Sequence, residues 1–267
     1  MALPPRILLD QPFLSAGLCV PPDGPLLHRL LRVLRLREGA PVILGSPDGT
    51  AWNGTLIRDD GGWALRVDSP RPQDPSRGGR ECPPFVLVMG LLKGDRTEWA
   101  VQKATEAGVR EVHVVVMRHS VPRPEGPEAR RRLERIQRVA REAARQCGRP
   151  AAPEVLLWPG LEAVGPALDR WKDQNLPRFL LDERPGAPSL ASVLRKAPGA
   201  ILASGPEGSF ASEERHLLED RGFLPAGLGP RILRAETAAL VGLVVAQVVC
   251  GDMGAEVSCD HPPEDAP

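Results

Sequence analysis

The sequence predicts an α/β protein preceded by a smaller β-rich module. Three observations carry that expectation: short β-type runs crowd the first eighty residues, a Pro/Gly-rich stretch without periodicity interrupts the chain at 70–84, and beyond it continuous apolar runs alternate with helical patterns. With 267 residues, the chain is long enough for one large α/β domain or two smaller ones.

In the front module, placed at 1–80, Arg6-Ile7-Leu8-Leu9, Pro41-Val42-Ile43-Leu44, Gly54-Thr55-Leu56-Ile57 and Trp63 to Val67 read as strands, and Leu26 to Leu36 as one helix. The turn signals Ser46-Pro47-Asp48-Gly49 and Asp59-Asp60-Gly61-Gly62 separate them closely, as in a small barrel or sandwich. The stretch 70–84 is the linker. In the second domain, 85–254, apolar runs at 85–92, 112–117, 154–158, 179–182 and 200–204 alternate with helices at 97–107, 127–147 and 236–249. Runs buried on both faces and joined by helices indicate a parallel sheet. Residues 255–267 are acidic, contain proline and offer almost nothing to a core, so they read as a disordered tail.

Lys+Arg and Asp+Glu each number 34, a neutral sum that on its face argues against nucleic acid. The sum hides a segregation. Glu256, Asp260, Glu264 and Asp265 sit in the tail, which has no Lys or Arg, whereas Arg118 to Arg149 holds ten Arg against four Glu. Neutrality therefore leaves a local basic surface open. Thirty of the basic residues are Arg, which a GC-rich coding sequence explains plainly, although the planar guanidinium also suits phosphate.

A charged fraction of 25% and a hydrophobic fraction of 42% exclude collagen-like, wholly disordered and polytopic membrane classes. The longest apolar run, Ala238 to Cys250, is shorter than the roughly 20 residues that span a bilayer. The start, MALPPRILLDQPFL, resembles neither a secretory nor a transit segment, so a cytoplasmic location is expected. The five cysteines are scattered without a C-x-x-C pair, and the five histidines are dispersed, so neither a disulfide framework nor a metal site is expected.

Four segments could carry chemistry. Ser204-Gly205-Pro206-Glu207-Gly208-Ser209-Phe210 follows an apolar run and precedes a helix start at Ser212. Glycines at the carboxyl end of a parallel strand let backbone approach a ligand, although an ordinary strand-to-helix turn looks the same. The segment is neither a G-x-G-x-x-G fingerprint nor a P-loop. Gly227 to Ala239 carries Arg231, Arg234 and Glu236 into an apolar helix, and fits either a second ligand turn or a helix start whose acid faces the positive helix end. In Lys93 to Val109, Glu98, Gln102 and Glu106 recur every four residues with Lys103 beside them, a spacing that a solvated stripe also produces. Finally, the helix from Arg130 to Arg149 packs through Leu133, Ile136, Ala140, Ala143 and Ala144 and leaves a guanidinium-rich face, suited to a phosphate backbone or to solvent.

Taken in register, KGDRTEWAVQKATEAGV, EAARQCGRPAAPEV, SGPEGSFASEE and LGPRILRAETAAL, together with PPRILL and HRLLRVLRLREG near the start, resemble the ribosomal RNA small subunit methyltransferase E family over Pro5 to Gly254. That family belongs to the knotted SPOUT methyltransferases and methylates N3 of a uridine in 16S rRNA. The resemblance implies a SPOUT-type parallel sheet with a deep trefoil knot, a PUA-like β-barrel in front, S-adenosylmethionine as cofactor, and a homodimer. It assigns cofactor binding to Leu181, Asp182 and Glu183, to Gly205, Pro206, Glu207 and Gly208, and to Leu228, Gly229, Ile232, Leu233, Arg234, Ala235, Thr237 and Ala238. One departure is visible: Ser209 stands where the family usually has a second glycine, and a positive φ there would be strained.

Uridine N3 must lose a proton before it can attack, which calls for a base or for cations that stabilise the anion. For that chemistry the expected residues are Arg231 and Arg234 for the anion or its phosphate, Glu106 or Glu236 for proton removal, and Lys103 for orientation. RNA docking falls to Arg6, His28, Arg29, Arg32 and Arg35, and to Arg135, Arg138, Arg141, Arg145 and Arg149. The competing readings are a knotted RNA methyltransferase with another target, a noncatalytic ribosome-assembly factor, and a small-molecule enzyme.

Overall fold

The computed structural model describes residues 4–9, 14–46, 50–59, 61–71, 84–149, 151–184, 186–195, 197–251 and 253. The expected tail at 255–267 and most of the expected linker, 72–83, lie outside them. The chain divides into two compact units, Met1–Asp74 with Ala144–Ala152, and Pro75–Ala143 with Pro153–Pro267.

The first unit is built on a mixed five-stranded sheet in the order β1-β3-β4-β5-β2, from β1 (Arg6–Leu8), β2 (Cys19–Val20), β3 (Pro41–Gly45), β4 (Ala51–Asp59) and β5 (Gly62–Pro70). β1 runs parallel to β3, and the other pairs are antiparallel. Ile7, Val42, Leu44, Leu56, Leu65 and Val67 form its core with Leu30. β2, two residues long, is too short to show an alternating pattern in sequence.

The helix expected at 26–36 begins earlier, as α1 (Gly24–His28), because Asp23 Oδ1 accepts from Leu26 N at 2.7 Å and caps it. It then widens into a π-helical turn, Arg29–Val33, closed by Leu34 N donating to Arg29 O, and Arg35 leaves it in the left-handed region with φ 52°. Arg35 therefore does not share the helix face of Arg29 and Arg32.

In the second unit β6 (Phe85–Gly90), β7 (Glu111–Val115), β8 (Glu154–Trp158), β9 (Arg178–Leu181), β10 (Ala200–Ser204) and β11 (Phe223–Ala226) make one parallel sheet in the order β11-β9-β10-β6-β7-β8. Every residue of β6, β7 and β10 is buried. Alternate residues of a strand point to opposite faces, so Phe85, Leu87 and Met89 join one core while Val86 and Val88 join another with Leu161, Val164, Leu168 and Trp171.

The helices are α2 (Arg96–Glu106), α3 (Gly126–Cys147), α4 (Gly165–Asp169), α5 (Leu190–Val193), α6 (Ser212–Asp220) and α7 (Ala235–Cys250). β11 escaped sequence reading because Pro225 interrupts it, and a proline is tolerated there because β11 is an edge strand.

A buried polar cluster joins β7 to β8 and the segment after α4. Trp158 Nε1 donates to His113 Nδ1 at 3.0 Å, so His113 Nε2 carries the proton that it gives to Glu111 Oε2 at 3.2 Å. Trp171 Nε1 donates to the same oxygen, and Arg170 pairs with both Glu111 and Glu154. Burial alone would raise the Glu111 carboxyl, but the donors His113, Arg170 and Trp171 hold it below its ordinary value.

Candidate functional site

The chain winds outward from β6 through β7 to β8, then crosses to β9 and β10 on the other side of β6. In open α/β sheets, ligands bind beyond the carboxyl ends of the strands where the winding reverses. A cavity of 410 Å³ lies on the β10 side of that reversal, at the carboxyl ends of β9, β10 and β11 and the start of α7, within the roughly 300–1,000 Å³ usual for small-molecule sites.

Its wall is made of three turns and one arginine. From the end of β9 come Leu181, Asp182 and Glu183; from the end of β10 come Ser204, Gly205, Pro206, Glu207 and Ser209; from the turn before and into α7 come Leu228, Gly229, Arg231, Ile232, Leu233, Arg234, Ala235 and Ala238; Arg96 completes it. The three turns of sequence thus converge. Gly208, Glu236 and Thr237 stand in the expected segments but do not line the cavity.

The first turn is locked by the Asp182 side chain. Its carboxylate is 1% exposed and accepts from Arg215 Nη1 at 2.7 Å and from Arg184 N and Nε at 3.0 and 2.9 Å. Burial by itself would raise this carboxyl; the hydrogen bonds from Arg184 and the charges of Arg215 and Arg184 hold it below the usual carboxylate range. Asp182 therefore shapes the wall, and its charge is spent on arginines of this chain.

Two glycines outside the turns let them approach. A Cβ on Gly90, at the end of β6, would lie 2.6 Å from Pro206 N, and one on Gly242 of α7 would lie 2.6 Å from Leu181 Cδ1. Ser204 Oγ donates to Ala235 O at 3.5 Å, tying β10 to α7. Glu207 Oε1 accepts from Lys93 N at 3.0 Å and from Arg96 Nη1 at 3.2 Å.

Arg96 also stands 4.0 Å from Glu236 Oε1. Glu236 is 9% exposed, and its Oε2 has no hydrogen-bond partner. Arg231 and Arg234 are exposed on the rim, and Ile232 is 82% exposed between them. Sequence reasoning missed Arg96; the signal available was its place at the head of a helix directly after the strand-end turn Lys93-Gly94-Asp95.

The structure does not bring Lys103 and Glu106 to the cavity. Lys103 Nζ lies 2.9 Å from both carboxylate oxygens of Glu106, and Lys103 sits seven residues, about 10 Å, further along α2 than Arg96. Nor is Glu98 part of a solvated stripe: it is buried and pairs with Arg132 at 2.9 Å and Arg135 at 3.1 Å.

Arg135 also pairs with Asp95 at 2.7 Å, so its charge is committed to the turn before α2. Arg138 and Arg141 are exposed and form no ion pair among the described residues. Arg145 and Arg149 are partly buried and engaged, as is Arg29, and Arg6 donates to Gly148 O. His28, Arg32 and Arg35 are exposed. Among the described residues no group of three His, Cys, Asp or Glu could hold a metal ion, and no helix is long and apolar enough to cross a membrane.

Residues 80–247 match the model of an RNA methyltransferase domain. Ribosomal RNA small subunit methyltransferase E of Bacillus subtilis is 31% identical over 229 residues, which is 82% of this chain and 86% of the relative. The Synechocystis protein of the same name is 31% identical over 221 residues, 81% of this chain and 69% of its own length.

Among solved structures, a ribosomal RNA small subunit methyltransferase E from Neisseria gonorrhoeae, bound to S-adenosyl methionine, superposes with a TM-score of 0.76 at 29% identity, covering 92% of this chain and 98% of its own. A Legionella pneumophila protein in complex with bound S-adenosylmethionine reaches 0.79 at 25% identity over the same shares. With the parallel sheet, the convergent turns and the match over most of its length, the chain belongs to the ribosomal RNA small subunit methyltransferase E family.

Proposed function

We propose that this protein transfers a methyl group from S-adenosylmethionine to N3 of a uridine in 16S rRNA of the small ribosomal subunit. The observation that carries the reading is the cavity itself: thirteen of the fifteen residues that the resemblance assigns to the cofactor lie on one 410 Å³ wall. The lining fits the group. Leu181, Leu228, Leu233 and Ala238 offer an apolar surface for a purine, while the polar residues Asp182, Glu183, Ser204 and Glu207 line the same wall.

When bound, the cofactor supplies an already activated methyl on a sulfonium, so the chain needs no nucleophile of its own. What remains for its residues is to orient the base and handle a proton. Arg231 and Arg234, on the cavity rim, stabilise the uridine anion at O2 and O4 or hold its phosphate. Glu236, with one buried oxygen unpartnered beside Arg96, is the carboxylate for proton removal. Both oxygens of Glu106 are engaged with Lys103, whereas Glu236, next in sequence to the lining residue Ala235, keeps one oxygen unpartnered, which favours Glu236 for that role.

RNA docks on His28, Arg29, Arg32 and Arg35 of the first unit, whose mixed sheet we read as a PUA-like barrel. On α3 the phosphate contacts are the exposed Arg138 and Arg141; Arg145 and Arg149 follow on the same helix and just past its end. We read the second unit as the deep trefoil knot of its family, a reading supported by a strand order in which β9 and β11 lie outside β10.

The protein acts as a homodimer in the cytoplasm. Support for the dimer comes from α7, which is apolar all round, AETAALVGLVVAQVVC, although Ala239, Gly242, Leu243 and Ala246 alone make its deeply buried apolar stripe before Cys250, and Val248 is 56% exposed.

The deciding experiment is methyl transfer to purified small subunits from cells that lack this gene, followed by mass mapping of the modified nucleotide. One methyl on N3 of a single 16S uridine is expected; modification of another base, or none, overturns the assignment.

A further inference from the structure

We infer that His119 is a positioning residue for the cofactor turn at 205–209: its imidazole holds Ser209 in the left-handed backbone conformation that the turn requires. The inference rests on the reading of that turn as part of the cofactor site. Ser209 lines the cavity and has φ 59°. Glycine takes this region freely, whereas a residue with a Cβ keeps it only where its surroundings over-determine it.

Two contacts do so. Ser209 N donates to Pro206 O at 2.9 Å, closing the turn, and His119 Nδ1 lies 3.1 Å from Ser209 O. A carbonyl can only accept, so Nδ1 carries the proton and donates.

Gly208 points to the same partner. It does not line the cavity, and a Cβ there would come within 2.8 Å of His119 Cβ. The glycine that the resemblance assigns to the cofactor is required by the His119 side chain behind the turn, at its Cβ.

His119 is itself held. Glu214 accepts from Arg118 N at 2.7 Å through Oε1 and from Ala211 N at 2.9 Å through Oε2, bridging the 118 loop to the start of α6. Ser120 Oγ accepts from Met117 N at 3.1 Å, and Ser120 N donates to Met117 O at 3.0 Å. The imidazole is thus presented from a fixed loop at the end of β7 to a turn at the end of β10. Where the competent turn is only part of the population, apparent affinity falls by the fraction that is competent. His119 raises that fraction.

The test is titration calorimetry of the full chain with S-adenosylhomocysteine. His119→Phe keeps a ring against Gly208 but has no donor, and is expected to bind about five- to tenfold more weakly than wild type. His119→Asn, which places an amide N–H near the Nδ1 position, is expected to recover most of that loss, which a purely space-filling role would not allow. In a Ser209→Gly background the cost of His119→Phe is expected to shrink to less than about twofold, since glycine needs no clamp. Ser209→Gly alone requires no change at 119 and is expected to bind about threefold more tightly than wild type.

Equal binding by His119→Phe and wild type, an equal cost in both backgrounds, failure of His119→Asn to recover affinity, or weaker binding by Ser209→Gly overturns the role of His119 while leaving the cofactor reading standing. Absence of binding by the wild-type chain overturns the cofactor reading itself, and this inference with it.

Discussion

Arg215 Nη1 lies 2.7 Å from Asp182 Oδ2, with the two side chains 10% and 1% exposed, and this pair joins the end of β9 to α6 at the wall of the cavity. Asp182 thereby acts on the site through its backbone position, since its carboxylate is fully occupied by Arg215 and Arg184.

Removing Arg215 leaves the buried Asp182 carboxylate with Arg184 as its remaining charged partner. Arg215→Met is expected to destabilise the protein by about 1.5–3 kcal/mol in urea unfolding, and to weaken S-adenosylhomocysteine binding as the 182–184 turn loosens. Unchanged unfolding would show that the pair contributes nothing.

The same pair sets a pH dependence. The Asp182 carboxyl is held below its ordinary value, so its contribution is present above the unfolded carboxylate pKa and is lost as pH falls through the lower folded value. Glu111 is displaced in the same direction and adds to the effect. Stability should stay level from neutral pH down to about pH 5, where unfolded carboxylates begin to bind protons, and then decline steadily below about pH 4. In Asp182→Asn the acid decline should be shallower. Thermal unfolding across pH 2 to 7 checks the slope.

Arg234→Ala is expected to abolish methyl transfer to small subunits while leaving S-adenosylhomocysteine binding measurable, because the guanidinium sits on the rim and α7 still begins at Ala235. Arg231→Ala should lower transfer in the same assay. Wild-type turnover in Arg234→Ala would remove it from the catalytic set.

Association with small subunits should weaken steeply with salt, because each phosphate contact releases counterions. Arg138→Ala and Arg141→Ala should each lower the slope of log affinity against log salt by about one, whereas Arg135→Ala should act mainly on stability through Asp95 and Glu98. A slope unchanged by the first two variants would place the RNA elsewhere.

Val248, 56% exposed on an apolar helix, is the position at which a charge tests the dimer with least damage to the core. Val248→Glu is expected to halve the mass seen by light scattering while leaving thermal stability within a few degrees. A wild-type chain that sediments as a monomer rules the dimer out.

The sheet strands with long apolar runs, β6, β7 and β10, were legible because burial on both faces writes itself into consecutive residues; the cavity turns after β9 and β10 follow apolar runs, whereas the turn before α7 was marked by its glycines ahead of an apolar helix. β2 and β11 were not legible, one for its length and the other for Pro225. Arg96 was signalled only by its place at the head of a helix after a strand-end turn, which does not by itself distinguish an arginine that faces a cavity from one that faces solvent.

By itself, then, the sequence determined most of the larger strands and helices, the composition of the turns and the family they belong to, since those properties are carried by residues close together in the chain. Which charges remain available was decided mostly by tertiary structure. Asp182 is spent on Arg215, Glu98 on Arg132 and Arg135, and Lys103 on Glu106, whereas Glu236 keeps a buried oxygen without a partner. The reason is physical: most of those pairings, and the burial that governs their strength, come from chain segments tens of residues apart. Ser209 shows both levels at once, a departure visible in one residue of sequence whose accommodation depends on His119, ninety positions away.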